Sequence, residues 1–194
     1  MAQLYEVYET DTKVCLVMEY CPHGELFDRI VSKNRLEEPE ACFYFYQLVE
    51  ALSYLHDLKI AHRDLKPENI LISTGSQVKL IDFGLSARNS EMSFDTPCGS
   101  PCYAPPEMIR KQQYSGFQTD VWSLGVTLFA MVTGIPQSDL GCVPFEDSQI
   151  GELYNKILKG EFHCPRYLSA EVKDLLRQMI QVDPCKRISL AKIR

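Results

Sequence analysis

The sequence predicts one α+β domain, in which a few short antiparallel strands precede a mainly helical body. Residues 4–8 alternate apolar and polar side chains, which is typical of half-buried strands, and residues 14–19 also predict a strand. Residues 37–58 carry apolar side chains three and four positions apart, as amphipathic helices do. Residues 121–132 are apolar on nearly every side, which predicts a buried central helix.

Composition favours an ordinary globular protein. The chain has 194 residues, 45% apolar and 24% charged, which suffices for one domain with a sizeable core. A net charge of −6 provides no basic field for nucleic acid. The longest nearly apolar run, residues 121–132, is too short to span a bilayer. We therefore expect a protein of the cytoplasm or nucleus with neither a nucleic-acid nor a membrane partner.

The eight cysteines show no CxxC pair and no Cys/His spacing typical of zinc sites. Their simplest interpretation is reduced, mostly buried thiols. Cys98 and Cys102 lie four residues apart in a predicted loop, which leaves a redox-sensitive pair as the alternative.

The first elements follow from local signals. A turn at residues 11–13 joins the first two strands. Pro22 and Gly24 then end the strand segment. Residues 25–32 carry apolar side chains at helical spacing and predict a short helix. Glu25 stands at its start, where a carboxylate interacts favourably with the helix dipole.

The central elements alternate between apolar and polar segments. A long helix is predicted to begin at residues 37–39, because acidic residues and proline are favoured in a first turn. Two short apolar strands follow at residues 70–72 and 78–81. A polar segment precedes the first strand, residues 61–69, and another follows the second, residues 82–84.

The last third is helical after a polar loop. Residues 85–103 have no sustained period and predict a loop. Residues 135–141, rich in Pro, Ser, Asp and Gly, interrupt the helical region and predict a surface insert. Further helices are predicted to begin at Asp120, at Ile150, after an N-cap at Ser169 and near Ser189.

The two polar segments around the short strands contain groups that can hold a Mg²⁺-nucleotide beside a hydroxyl. The first reads Ala-His-Arg-Asp-Leu-Lys-Pro-Glu-Asn over residues 61–69, and the second reads Asp-Phe-Gly over residues 82–84. This order, with a strand on the correct side of each, resembles the catalytic and metal-binding loops of eukaryotic protein kinases. A structural loop with chance polar residues is the alternative, and it requires many fixed offsets to coincide.

Downstream motifs extend the resemblance. Residues 96–101, Thr-Pro-Cys-Gly-Ser-Pro, resemble a segment of the calmodulin-dependent and AMP-activated-kinase-related Ser/Thr kinases. Residues 105–107, Pro-Pro-Glu, stand where the family has Ala-Pro-Glu, and the resemblance pairs Glu107 with Arg187. The resemblance also implies that Asp120 holds the His-Arg-Asp loop from beneath.

The resemblance covers residues 4–194 apart from the insert at 135–141. It implies a protein-kinase-like α+β fold that is mainly a helical C-lobe. Residues 1–21 would form two residual N-lobe strands and the hinge, and residues 22–194 would form the C-lobe.

The resemblance gives each polar group of the loops an expected role. Asp64 is the expected catalytic base or hydroxyl-orienting group. Lys66 would neutralise charge on the transferred phosphoryl group. Asn69 and Asp82 would bind Mg²⁺, so the implied cofactors are ATP and Mg²⁺.

Regulation and substrate contacts are implied in the same way. Arg63 would receive a phosphate from Thr96, the expected regulatory phosphosite of an upstream activating kinase. The proline after Thr96 leaves a proline-directed kinase as an alternative activator. Ser100, at the substrate side, is expected to bond Asp64 and Lys66.

The remaining implied contacts involve nucleotide and substrate. Met18 stands at the gatekeeper position, and Glu19 and Cys21 stand in the hinge. Glu25 would face the ribose and a substrate arginine, unless it is only a helix-start residue, and Glu68 would meet a second arginine. The nucleotide-contacting set carried over is Met18, Glu19, Cys21, Glu25, Leu71 and Asp82.

The chain departs from the family pattern at its beginning. Only Met1, Ala2 and Gln3 precede the first strand, and the ten glycines include no GxGxxG. A glycine-rich loop, a strand lysine and a helix glutamate are therefore missing, and we expect an N-terminally truncated kinase domain. The expected function is phosphoryl transfer from ATP to Ser or Thr near basic residues of proteins. The alternative is a non-catalytic fragment that binds substrates or regulators of a kinase.

Overall fold

The computed structural model describes residues 1–88, 100–135, 144–145 and 147–194. The predicted α+β class is confirmed. The described strands are β1 (Leu4–Glu9), β2 (Val14–Met18), β3 (Ile60–Ala61), β4 (Ile70–Ile72), β5 (Val78–Leu80) and β6 (Ala87–Arg88). The described helices are α1 (Leu26–Lys33), α2 (Glu38–Asp57), α3 (Pro106–Ile109), α4 (Gly116–Thr133), α5 (Ile150–Lys159), α6 (Ala170–Met179) and α7 (Leu190–Ile193).

Helix α4 is the centre of the core, as its uniformly apolar sequence predicts. It begins at Gly116, four residues before the predicted start at Asp120. Trp122 is fully buried and its ring stacks on Phe145 at 5.8 Å. A Cβ at Gly125 would lie 2.9 Å from the Cβ of Met179, so this glycine lets α6 approach α4 closely.

Helix α2 packs one face on α4 and supports the strands that carry the polar loops. It begins at Glu38 with Pro39 in its first turn, as predicted. Leu48 and Leu52 are fully buried, because they lie on the apolar stripe that faces the core.

Three separate two-stranded antiparallel sheets pair β1 with β2, β3 with β6 and β4 with β5. In the third sheet, Ile70 pairs with Leu80 and Ile72 with Val78. Residues 67–69 come directly before Ile70, and residues 82–84 come shortly after its partner Leu80. Both segments therefore lie at the same end of the hairpin. Strand β5, predicted at residues 78–81, ends at Leu80, one residue earlier than expected.

The β1–β2 hairpin is exposed on both faces. Every residue of the two strands is exposed, including the paired residues Val7 and Leu16 at 54% and 58%. Large apolar side chains are normally buried. This exposed surface therefore either contacts a partner or is unfavourable in water.

Local residues cap helices α5 and α6, and the N-cap predicted at Ser169 is confirmed. Gly160 ends α5 with a left-handed φ of 67°. The hydroxyl of Ser169 accepts a hydrogen bond from the N–H of Val172 at 3.2 Å and so caps α6. Among the described helices, none is long and apolar enough to cross a membrane.

The expectation of reduced, mostly buried thiols is wrong in two respects. Cys15, Cys42 and Cys185 are free but exposed, whereas Cys21 is buried. Cys102 is disulfide-bonded. Some of the predictions fall outside the described residues. They concern Thr96 and Cys98 of the predicted loop and residues 136–141 of the predicted insert.

Candidate active site

The polar loop after β3 is held from beneath by one buried carboxylate. Asp120, fully buried on α4, accepts the backbone N–H of His62 at 2.9 Å and that of Arg63 at 2.8 Å. His56, at the end of α2, contacts the same carboxylate through Nε2 at 2.8 Å. The expected support of the loop by Asp120 is confirmed.

His56 makes a second contact with α4. Its ring also packs on Phe117 of α4 at a centroid distance of 4.4 Å. The residue therefore joins the end of α2 to α4 beside the loop. A lone histidine in an apolar helix carries no signal that could have named Asp120 as its partner.

Arg63 adopts a left-handed backbone with a φ of 68°, which is unusual for a residue with a side chain. The hydrogen bond from its N–H to Asp120 helps hold this conformation. Its Nη2 donates to the hydroxyl of Tyr114 at 2.9 Å, and Tyr114 is 4% exposed. Sequence reasoning missed Tyr114, since its segment shows no periodic pattern.

Four of the predicted site residues form one hydrogen-bonded cluster around Asp64, which is 7% exposed. Lys66 Nζ lies 2.9 Å from Asp64 Oδ2 and 2.9 Å from the hydroxyl of Ser100. Asn69 Nδ2 donates to Asp64 Oδ2 at 3.0 Å, and the N–H of Ser100 donates to Asp64 Oδ1 at 3.2 Å. The carboxylate is therefore fixed by three donors of different kinds.

The two expected Mg²⁺ ligands, Asn69 and Asp82, lie at the same end of the β4–β5 hairpin. The N–H of Ile81 donates to the carbonyl of Asn69 at 3.0 Å and ties the two segments together. Asp82 is exposed, has a φ of 60°, and accepts the N–H of Gly84 at 3.2 Å.

These residues fit a magnesium ion. The amide nitrogen of Asn69 is used by Asp64, which leaves its Oδ1 as the group to offer a metal. Asp82 presents an exposed carboxylate. Among the described residues no group of three or more His, Cys, Asp or Glu forms a metal cluster. Mg²⁺ is usually bound by one or two protein carboxylates and completes its shell with water and phosphate oxygens.

Packing fixes the turn that follows β5. His62 Nε2 lies 3.0 Å from the carbonyl of Ile81, and its ring contacts Phe83 at 5.1 Å. Both residues therefore help to position the turn that carries Asp82.

An electronegative patch lies beside the cluster. Burial, then the charges of Asp28 and Glu68, raises the pKa of the Glu25 carboxyl. Glu25 begins α1 without a side-chain capping bond. Glu68 keeps one buried carboxylate oxygen, Oε2, without a hydrogen-bond partner among the described residues. Burial, and then the charge of Glu68, raises the pKa of Tyr103, so Tyr103 lies close enough to Glu68 for the two to interact.

Three of the expected nucleotide-contacting residues, Met18, Glu19 and Cys21, lie at or just after the end of β2. Met18 is 40% exposed and Cys21 is 8% exposed. Lys79 pairs with Glu19 at 3.0 Å and holds the pKa of that carboxyl below its usual value. The N–H of Glu19 donates to the carbonyl of Gln3 at 2.7 Å, so that hinge donor is used within the chain.

Leu71, the last of this set, is half-buried in β4 and pairs with Lys79 of β5. An isolated bridge also joins Leu71 to Glu25. Leu71 therefore links the backbone of Glu25, at the start of α1, to the β4–β5 hairpin.

Comparison with known proteins agrees with this geometry. The model of the protein kinase domain matches residues 1–194. The maternal embryonic leucine zipper kinase of Xenopus tropicalis is 47% identical over 193 residues, which are 98% of this chain and 28% of that protein. CBL-interacting protein kinase 11 of Oryza sativa subsp. japonica is 42% identical over 196 residues, 99% of this chain and 38% of that protein.

The Serine/threonine protein kinase OSK3 of Oryza sativa subsp. indica is 47% identical over 193 residues, 99% of this chain and 37% of that protein. The chain thus spans between a quarter and two fifths of the length of these curated relatives. The match of the whole chain and the assembled loop cluster lead to one conclusion: the chain belongs to the protein kinase domain family.

Proposed function

We propose that this chain is the catalytic part of a protein serine/threonine kinase, which transfers the γ-phosphoryl group of ATP to Ser or Thr of protein substrates. The observation that supports this most is the cluster of Asp64, Lys66, Asn69 and Ser100. It combines a fixed carboxylate, an amine and a metal-binding amide in one site.

Asp64 supplies orientation in this mechanism. Its carboxylate is held by Lys66, Asn69 and Ser100, so it can accept a hydrogen bond from an incoming hydroxyl without rearranging. Lys66 stands between Asp64 and Ser100, where its positive charge stabilises negative charge on the transferred group. Mg²⁺, held by Asn69 and Asp82, would neutralise phosphate charge.

The electronegative patch indicates basic substrates. Glu25 and Glu68 lie near enough for their charges to interact, and Glu68 has a buried unpaired oxygen. An arginine side chain would supply the missing donors and compensate both charges. We therefore propose protein substrates with arginine close to the accepting Ser or Thr.

Regulation by phosphorylation of Thr96 is part of the proposal. Thr96 lies outside the described residues, so the support comes from Arg63. Its guanidinium lies beside the cluster and contacts Tyr114, an arrangement that can receive a phosphate.

The test is phosphotransfer from labelled Mg²⁺-ATP to an arginine-containing Ser peptide. The chain is compared with its Asp64→Asn variant, and the peptide with one whose arginine is alanine. Transfer that requires both Asp64 and the arginine supports the proposal. Transfer that survives Asp64→Asn contradicts the role of Asp64.

A second candidate, a non-catalytic fragment that binds substrates or regulators, is favoured by the exposed β1–β2 hairpin. Both versions of the function predict binding of the arginine peptide. Peptide binding without transfer by a folded chain would favour this second candidate.

A further inference from the structure

The β4–β5 hairpin carries the expected metal ligands but is itself very short. Each strand has three residues, and the turn between them closes with the N–H of Ser73 on the carbonyl of Gln77 at 2.8 Å. Asn69 and Asp82 lie at the opposite end. An isolated two-stranded hairpin is at best marginally stable, so other contacts must fix its position.

Gln47 of α2 provides such a contact at the turn. Its Oε1 accepts the N–H of Val78 at 3.0 Å. Its Nε2 donates to the carbonyl of Ser76 at 3.2 Å and to that of Phe43 at 3.3 Å. Two carbonyls require a donor and one N–H requires an acceptor, so the partners dictate the orientation of the amide.

The chemistry of this position is restrictive. A carboxylate at residue 47 would accept but not donate, and an aliphatic side chain would do neither. Asparagine offers the same groups but is one carbon shorter. The bond to Phe43, one turn earlier on α2, also holds the amide against its own helix. A glutamine therefore fits three partners that come from two separate elements.

We propose that Gln47 is a positioning residue that holds the hairpin, and through it Asn69 and Asp82, in register with the catalytic loop. The importance of this contact rests on the proposed function, since that function assigns Mg²⁺ to Asn69 and Asp82. The path is short, because Val78 and Asp82 are four residues apart, or roughly 13 Å along a strand. The bond between Ile81 N–H and Asn69 O closes the far end of that path.

Three backbone bonds to other segments also hold the hairpin. The N–H of Ile72 donates to the carbonyl of Gly24 at 2.9 Å, and the N–H of His23 donates to that of Ile72 at 3.2 Å. The N–H of Ala2 donates to the carbonyl of Leu80 at 3.1 Å. None of these bonds involves residue 47, so we expect them to persist when it changes. A Gln47 variant should therefore keep the hairpin but allow it to move.

The experiment measures amide hydrogen exchange by NMR in the parent chain and in Gln47→Leu. Val78 must exchange faster because its acceptor is gone. The proposal also requires faster exchange at Ile81, by about tenfold, and a shift of the Asn69 side-chain amide signals. Acceleration confined to Val78 and the turn would overturn the proposal.

Ser169→Ala is the matched control, because it removes the capping bond to Val172 at a site on another helix. Urea is added so that Ser169→Ala and Gln47→Leu are compared at equal stability. Under these conditions Ser169→Ala should leave the exchange rate of Ile81 and the side-chain amide signals of Asn69 unchanged. Equal acceleration of Ile81 in both variants would show a general loss of stability and would overturn the proposal.

Gln47→Glu covers the case in which Gln47→Leu does not fold. It keeps the acceptor for Val78 and the size of the side chain but removes both donated bonds. Exchange at Ile81 should then be intermediate, and parent-like exchange there would contradict the proposal. None of these measurements uses phosphotransfer, so an inactive chain does not affect their outcome.

Discussion

Arg187 and Glu107, eighty residues apart, form a buried two-bond ion pair. Nη1 lies 2.9 Å from Oε1 and Nη2 lies 3.1 Å from Oε2. The guanidinium also donates to the carbonyl of Gln118 at 2.6 Å and to that of Gln181 at 2.8 Å. The pair therefore joins α3, just after the polar loop, to the segment after α6, as the sequence resemblance implied.

Removing one partner of this pair should destabilise the fold strongly. Glu107→Ala leaves the Arg187 charge buried, with only carbonyl oxygens as acceptors. We expect a loss of about 3–5 kcal/mol in the free energy of unfolding, measured by urea denaturation. The expected control is Arg194→Ala, which removes an exposed pair with Glu50 and should cost less than about 1 kcal/mol. Similar losses in the two variants would contradict this ranking.

The carboxylate beneath the catalytic loop should be nearly as sensitive. Asp120→Asn replaces one of two accepting oxygens by an amide nitrogen, so His62 or Arg63 would face a donor. We expect a loss of about 1–3 kcal/mol in the free energy of unfolding, together with faster exchange of the His62 and Arg63 amides. Loss of stability with unchanged exchange at these two amides would show that Asp120 does not hold the loop.

Phosphorylation of Thr96 should stabilise the chain through Arg63. A phosphate that bonds one guanidinium should raise Tm by about 2–4 °C in the parent. The Arg63→Gln variant should show no such rise, because its side chain has no charge. Tyr114→Phe keeps Arg63 charged and is the control that should retain the rise. Equal rises in the parent and in Arg63→Gln would contradict the role of Arg63.

Binding of an arginine peptide should weaken as pH falls. The pKa of Glu25 lies above its ordinary value of 4.5 because of burial and then the charges of Asp28 and Glu68. Protonation of Glu25 therefore begins nearer neutral pH than for a free glutamate, and it removes the charge that attracts arginine. Fluorescence anisotropy of a labelled peptide, measured from neutral pH downward, should show this loss.

Two variants separate Glu25 from other titrating groups. Glu25→Gln should bind weakly with little pH dependence in this window, and Asp28→Asn should move the midpoint to lower pH. Because folding raises the pKa of Glu25, its ionised form opposes folding above that pKa, and this penalty disappears below 4.5. An unchanged pH profile in Glu25→Gln would assign the titration to another residue.

The fold was predictable because local patterns and tertiary packing agree. The apolar period of α2, the Ser169 cap and the Gly160 end all use short-range chemistry that the sequence displays. The start of α4 at Gly116 was not predictable, because residues 116–119 lack the apolar run that marked the helix from residue 120.

The site was predictable in its residue types but not in all of its contacts. The loop motifs brought Asp64, Lys66 and Ser100 together as expected. The contacts of Gln47 and Tyr114 were missed because each joins segments that are far apart in the chain, at 31 residues for Gln47–Val78 and 51 for Arg63–Tyr114. A single polar residue in a helix or loop does not indicate its distant partner.

The exposed β1–β2 hairpin should cause self-association. Val7 and Leu16 pair across the strands and are more than half exposed, and unpaired strand edges readily pair with other chains. We expect the parent to associate with rising concentration in sedimentation velocity experiments. The double variant Val7→Lys with Leu16→Glu should remain monomeric, because opposite charges directly across the strands keep the hairpin while they remove the apolar surface. Ile150→Lys, at a residue 57% exposed on α5, is the control and should associate as the parent does. A parent that stays monomeric at all concentrations would contradict this prediction.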